Sequence, residues 1–157
     1  MTDEKLSEPD AAHQRPPGVD DATVEALGRL SEALEAVEAA RGFLYSFHRL
    51  SGTADLTLGD AVDKLRAAGH SELADRLARD LVGRNVIEGR WTFQVVESYD
   101  DTYYATFKDL ERRAREQLVG GRRHLYEAEM KEDRRTDGDP GHAATPEAPE
   151  APSTRSA

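Results

Sequence analysis

Residues 27–52 read LGRLSEALEAVEAARGFLYSFHRLSG, and this stretch decides the fold class. Leu27, Leu30, Leu34, Val37 and Leu44 recur at spacings of three, four, three and seven, the stripe of an amphipathic helix. Phe43, Phe47 and Leu50 widen the stripe. Asp20 or Asp21 supplies an N-cap, and Gly52 after Ser51 is the expected stop. About 30 residues at 1.5 Å each make a rod of roughly 45 Å, too long for a short partner to cover.

Two shorter helices are expected downstream. Thr57 stands three residues before Asp60 in a variant of the capping box, and Ala61, Val62, Leu65 and Ala68 supply an apolar face. Gly69 ends that helix and Ser71 caps the next, in which Leu73, Leu77 and Leu81 share one side before Gly83. Residues 84–87 and 90–96 are rich in β-branched and aromatic side chains around Glu88-Gly89, which predicts a small two-stranded ribbon. Tyr99, Tyr103, Phe107, Leu110, Ala114, Leu118 and Leu125 then mark a second long helix ending near Lys131. Gly120-Gly121 interrupts it as a kink or a close backbone approach, at a cost of about 2 kcal/mol relative to Ala-Ala.

The two long helices match in length, so antiparallel pairing between them is the natural core. The expected fold is mostly α: a single-domain helical bundle over residues 21–132 with two long antiparallel helices, a short helical hairpin and a small β-ribbon. Residues 1–20 read as a disordered acidic tail. Residues 133–157 read as a disordered Pro/Ala/Glu-rich tail, because neither segment has the apolar area to offset chain entropy.

The chain has 157 residues, 33% of them charged and 38% apolar, with a formal net charge of -10. The tails carry most of that charge, and residues 22–131 are nearly balanced. A pI near 5.0 argues against a nucleic-acid binder driven by bulk charge, although a local basic patch stays open. Arg outnumbers Lys 17 to 4 and Ala occurs 22 times, as a GC-rich bacterial genome would give. No apolar run approaches the roughly 18 residues of a membrane span, and the acidic N-terminus is no secretory signal. Without cysteine there is no disulfide, thiol nucleophile, zinc finger or iron–sulfur ligation. A cytoplasmic location is expected.

Nine of the ten aromatics lie in Phe43–Phe47 or Trp91–Phe107, segments that antiparallel pairing would bring to one end. Arg41, His48, Arg84, Arg90, Trp91, Glu97, Asp100, Asp101 and Tyr104 gather there as the candidate binding cluster. Arg41 and His48 continue the seam where apolar residues would be expected, so they need partners. His48 should therefore lie near Trp91–Tyr104, and an acid among Glu97, Asp100 and Asp101 should pair with Arg41, Arg84 or Arg90. Loss of Arg90 or Asp101 from such a pair would cost about 1–3 kcal/mol. The group is either an ion-pair network closing a bundle end, a pocket for a small polar ligand, or a metal site. For the last, Glu97 and Asp101 stand one turn apart and His48 has a suitable ring. No cofactor is implied: phosphate-binding glycine loops and G-x-S-x-G are both missing, and there is no enzyme signature.

Residues 57–97 resemble a winged helix-turn-helix: helix, Gly69 turn, second helix, then a wing-like run NVIEGRWTF from Asn85 to Phe93. That resemblance implies a DNA-binding regulator with the long helices as a dimerisation arm. The would-be recognition helix Ser71–Val82 carries Glu72, Asp75 and Asp80 against Arg76 and Arg79, a poor balance for the major groove. The residues favour a non-enzymatic interaction or scaffold protein with a protein partner, or a second copy of itself in a homodimer. No membrane partner is expected.

Overall fold

The structure, a computed structural model, describes residues 8–143. The expectations for residues 1–7 and 144–157, the outer parts of the two tails, lie outside the described residues. The chain is mostly helical. Helix α1 runs Asp21–Ala67, α2 Ser71–Asp80 and α3 Thr92–Tyr99. A five-residue π-helical turn, Asp100–Tyr104, leads into α4 (Ala105–Val119), and α5 follows at Leu125–Arg134. The chain divides into two compact units, Met1–Ser31 with Glu111–Ala157, and Glu32–Leu110.

The first unit has a small core of Val24, Val119 and Leu125, flanked by Val19 and Leu27. Asp20 caps α1 by accepting from the Thr23 N–H at 2.8 Å. A Cβ on Gly28 would sit 3.7 Å from the Tyr126 ring, so the small residue admits α5 close to α1. Buried Glu111 accepts two bonds from Arg115 and one from Ser31 Oγ at 3.2 Å, which satisfies its carboxylate. Within residues 8–20, expected as tail, Arg15 binds both Glu129 oxygens and Asp21, and Arg122 donates to the Gln14 carbonyl. Charge-assisted bonds tie this stretch to α5 and to Arg122, and Val19 adds apolar packing on the core.

The second unit is organised by a longer repeat than the one read above. Leu34, Val37, Arg41, Leu44, His48, Ser51, Asp55, Leu58, Val62 and Leu65 alternate steps of three and four. Apart from Gly59, they are the residues of 32–67 that are not exposed. Glu38, Arg41 and His48 bond to Tyr104, Asp100 and Thr92 respectively. Asp55 accepts from the Gly83 N–H at 2.7 Å, which fixes the chain after α2 against α1. Arg66 pairs with Asp75 at 2.9 Å, and Ala74 of α2 is fully buried.

Several expectations are corrected here. Gly52 does not stop α1, because the repeat continues through it and its φ stays out of the positive range that Gly69 (89°) and Gly83 (69°) adopt. Thr57 therefore caps nothing; its hydroxyl donates back to the Thr53 carbonyl. Helix α1 ends instead at Gly69, where the His70 N–H reaches the Leu65 carbonyl and the Gly69 N–H the Arg66 carbonyl. Ser71 is the first residue of α2, and His70 stands at the cap without a side-chain bond.

The ribbon is not formed among the described residues. Ile87 and Arg90 make a single bridge, and Thr92–Val96 is helical, so the wing of the resemblance has no strands. The second long helix stops at Gly120-Gly121, both at positive φ, and His124 enters the left-handed region before α5 starts. The aromatic stripe is also displaced: Val96 is buried, whereas Tyr103 and Leu110 are exposed. No helix among the described residues is long and apolar enough to cross a membrane.

Candidate functional site

The polar half of the predicted cluster is centred on Arg41. Its Nε and Nη2 donate to the two oxygens of Asp100 at 2.6 and 2.8 Å, a bidentate pair. The guanidinium lies over the rings of Tyr45 and Tyr104, 5.0 and 4.9 Å from their centroids. Tyr104 donates to Glu38 at 2.6 Å, and Lys108 covers the same ring at 5.0 Å. The hydrogen bonds from Arg41 hold the Asp100 carboxyl below its ordinary value. The Glu38 carboxylate accepting from Tyr104 raises the phenol above its own.

The local backbone explains how this geometry arises. The π-helical turn inserts one extra residue into the helical register at Asp100–Tyr104. Thr92, Val96, Asp100 and Tyr104 then follow at equal steps of four, and each is shielded from solvent. The turn also keeps Tyr99, Tyr103 and Phe107 in a ladder with centroids 5.6 and 5.9 Å apart.

Of the predicted residues, Arg41, Asp100 and Tyr104 are brought together, and His48 Nδ1 meets Thr92 Oγ1 at 2.6 Å. The other five stand apart from them. Arg84 donates to the Asp80 carbonyl at the end of α2, and Arg90 forms the backbone bridge to Ile87. Glu97 and Asp101 face solvent. Trp91 is 58% exposed and makes a T-shaped ring contact with Phe93, while its backbone N–H donates to the Gln94 side chain. Among the described residues no group of three or more His, Asp or Glu side chains is placed to hold a metal ion.

Glu38, Asp55 and Thr92 were not singled out from the sequence, although the three–four repeat places Asp55 on the same seam as Arg41 and His48. In chemical terms the Arg41 group is a closed staple, because both Asp100 oxygens and the donors facing them are used. A cavity of about 30 Å³ in the first unit, beside Glu111, Arg115 and His124, has room for about one water.

The apolar side chains of α1 beside this cluster behave differently. Phe43 is 75% exposed, Leu50 68% and Phe47 39%. They form a second stripe of α1, to one side of the Arg41–His48–Asp55 seam, together with Ala36, Ala40, Ala54 and Ala61, all exposed. Comparison of the chain with protein-family models, curated proteins and solved structures gives no match.

Proposed function

We propose that this chain is a non-enzymatic helical interaction protein, and that the outward apolar face of α1 around Phe43, Phe47 and Leu50 docks on another protein surface. One observation carries the reading: Phe43 and Leu50 stand 75% and 68% exposed on α1, outside a seam in which Arg41, His48, Ser51 and Asp55 interrupt Leu34, Val37, Leu44, Leu58, Val62 and Leu65. Contiguous apolar patches on a folded surface mark interaction sites.

Antiparallel pairing of the two helical stretches in this unit is part of the same reading. It is supported by partner numbers that fall on one side as they rise on the other: 38 with 104, 41 with 100, 48 with 92. A DNA-reading role for α2 is less favoured, since Asp75 on that helix already holds Arg66 and no strands stand where a wing would be.

The double variant Phe43→Glu, Leu50→Glu tests the reading by urea unfolding at low protein concentration. A docking face tolerates it within about 0.5 kcal/mol, as surface substitutions generally are. A loss above about 2 kcal/mol would show that the face is internal to the folded chain and would refute the proposal.

A further inference from the structure

The geometry points to a second copy of this chain as the occupant of that face, laid antiparallel on α1; this inference rests on the docking reading above. The argument starts from symmetry. Phe47 and Leu50 sit at the middle of the exposed stripe, Phe43 and Ala54 are equidistant from that middle, and Ala36 and Ala61 are its outer pair. A two-fold axis through the Phe47–Leu50 step therefore sets each Phe43 over an Ala54 of the other copy. Bulk meets a small residue at both ends, and the alanine pairs let the backbones approach closely.

Steric fit fixes the direction. A parallel copy would stack Phe43 on Phe43 and set Ala54 against Ala54, whereas the antiparallel copy gives each Phe43 an alanine to pack on. Hydroxyl residues line one flank of the stripe.

The hydroxyls along this flank do not oppose docking. Ser46, Thr53 and Thr57 each donate to a carbonyl of their own helix, at 3.2, 3.1 and 2.8 Å. They need no water to be satisfied when the face is covered. The stripe from Ala36 to Ala61 is about 39 Å long and exposes on the order of 600 Å² per copy, near the lower end of specific interfaces, so association in the micromolar range is expected.

The chain has no cysteine, so single cysteines report orientation cleanly. Light scattering should show mass rising from 17.4 kDa towards twice that value between about 1 and 200 μM. Phe43→Asp should abolish the rise, with melting at the dilute end unchanged. Ala54→Phe should weaken association about tenfold, because Phe43 would then meet a phenylalanine of the other copy.

Mixed Ala36→Cys and Ala61→Cys chains should form the mixed disulfide, and Ala36→Cys alone should not. Disulfides within the Ala36→Cys preparation alone would overturn the antiparallel arrangement. A wild type that stays monomeric to the top of the range, with Phe43→Asp melting normally, would overturn self-docking and leave the docking face standing. A Phe43→Asp chain that melts early while dilute would defeat both.

Discussion

Replacing Gly120 and Gly121 together by alanine separates two opposite accounts of the same dipeptide. Both residues have positive φ, 62° and 76°, where an L side chain is strained. Space is not the obstacle. A Cβ on Gly120 would meet nothing within 4 Å, and one on Gly121 would touch Glu116 Cγ at an ordinary 3.8 Å. The cost is therefore backbone strain of about 1–2 kcal/mol per residue, offset by about 0.4–1 kcal/mol because alanine restricts the unfolded chain. The pair should destabilise by about 1–2 kcal/mol. If the helix ran through these positions, the same change would stabilise by about 2 kcal/mol, since alanine is the better helix former. The two outcomes differ in sign. Urea unfolding followed by circular dichroism, with an unchanged slope on denaturant, measures the difference. A stabilised double variant would show that α4 and α5 are one helix and that the break is wrongly placed.

Other substitutions probe other elements. Gly52→Ala should stabilise by about 1 kcal/mol in the same assay, because the site lies inside α1 with open space around it; destabilisation would restore Gly52 as a stop. Val119→Ala removes two methyl groups from the only residue of its core that is 1% exposed, and should cost about 2–3 kcal/mol. Asp100→Asn should lower the melting temperature at neutral pH. Because the carboxyl is held below its ordinary value when folded, its contribution is full above the unfolded value near about pH 3.9 and fades as pH falls through the folded one. The variant should therefore lose less stability than the wild type below about pH 4, and an identical acid limb would contradict the staple. Arg90→Ala and Asp101→Ala should each stay within about 0.5 kcal/mol in thermal melts, since neither side chain enters the Arg41 group.

How much of this could be read from residues alone depends on which signal carried it. The helical character of α1 was legible in Leu27, Leu30, Leu34, Val37 and Leu44. Its length was not, because the repeat continues through His48, Ser51 and Asp55 before returning to Leu58, Val62 and Leu65, and polar residues hide a hydrophobic period. A spacing count indifferent to polarity would have carried the helix past Gly52. Gly69 and Gly52 look alike in sequence; only the first adopts the left-handed cap, after the basic Lys64 and Arg66 of a last turn. The Arg41–Asp100 contact followed from the need to satisfy a charge on a seam. Its exact partners did not, since the π-helical turn that selects Asp100 over Glu97 and Asp101 leaves no mark in composition. The Thr92–Val96 segment reads as strand by propensity, and helix wins there because Trp91 and Gln94 close the first turn.

The polar seam and the apolar exterior have a common consequence. A seam built from Arg41–Asp100, Glu38–Tyr104, His48–Thr92 and Asp55–Gly83 gains little net energy per bond, because each pair also leaves its water. It does specify register: shifting α1 by one heptad along α3 and α4 would unmake all of these bonds, whereas a uniform seam of leucines would tolerate that shift. Phe43 and Leu50 leave most of their surface outside that internal pairing, so the hydrophobic area they expose is free to be covered by another surface. The second unit is thus held in register by polar pairs within the chain and exposes apolar side chains outside them. On the proposed reading the unit's stability should rise as the outer face is covered, by mass action, and melting temperature should increase with protein concentration for the wild type but not for Phe43→Asp.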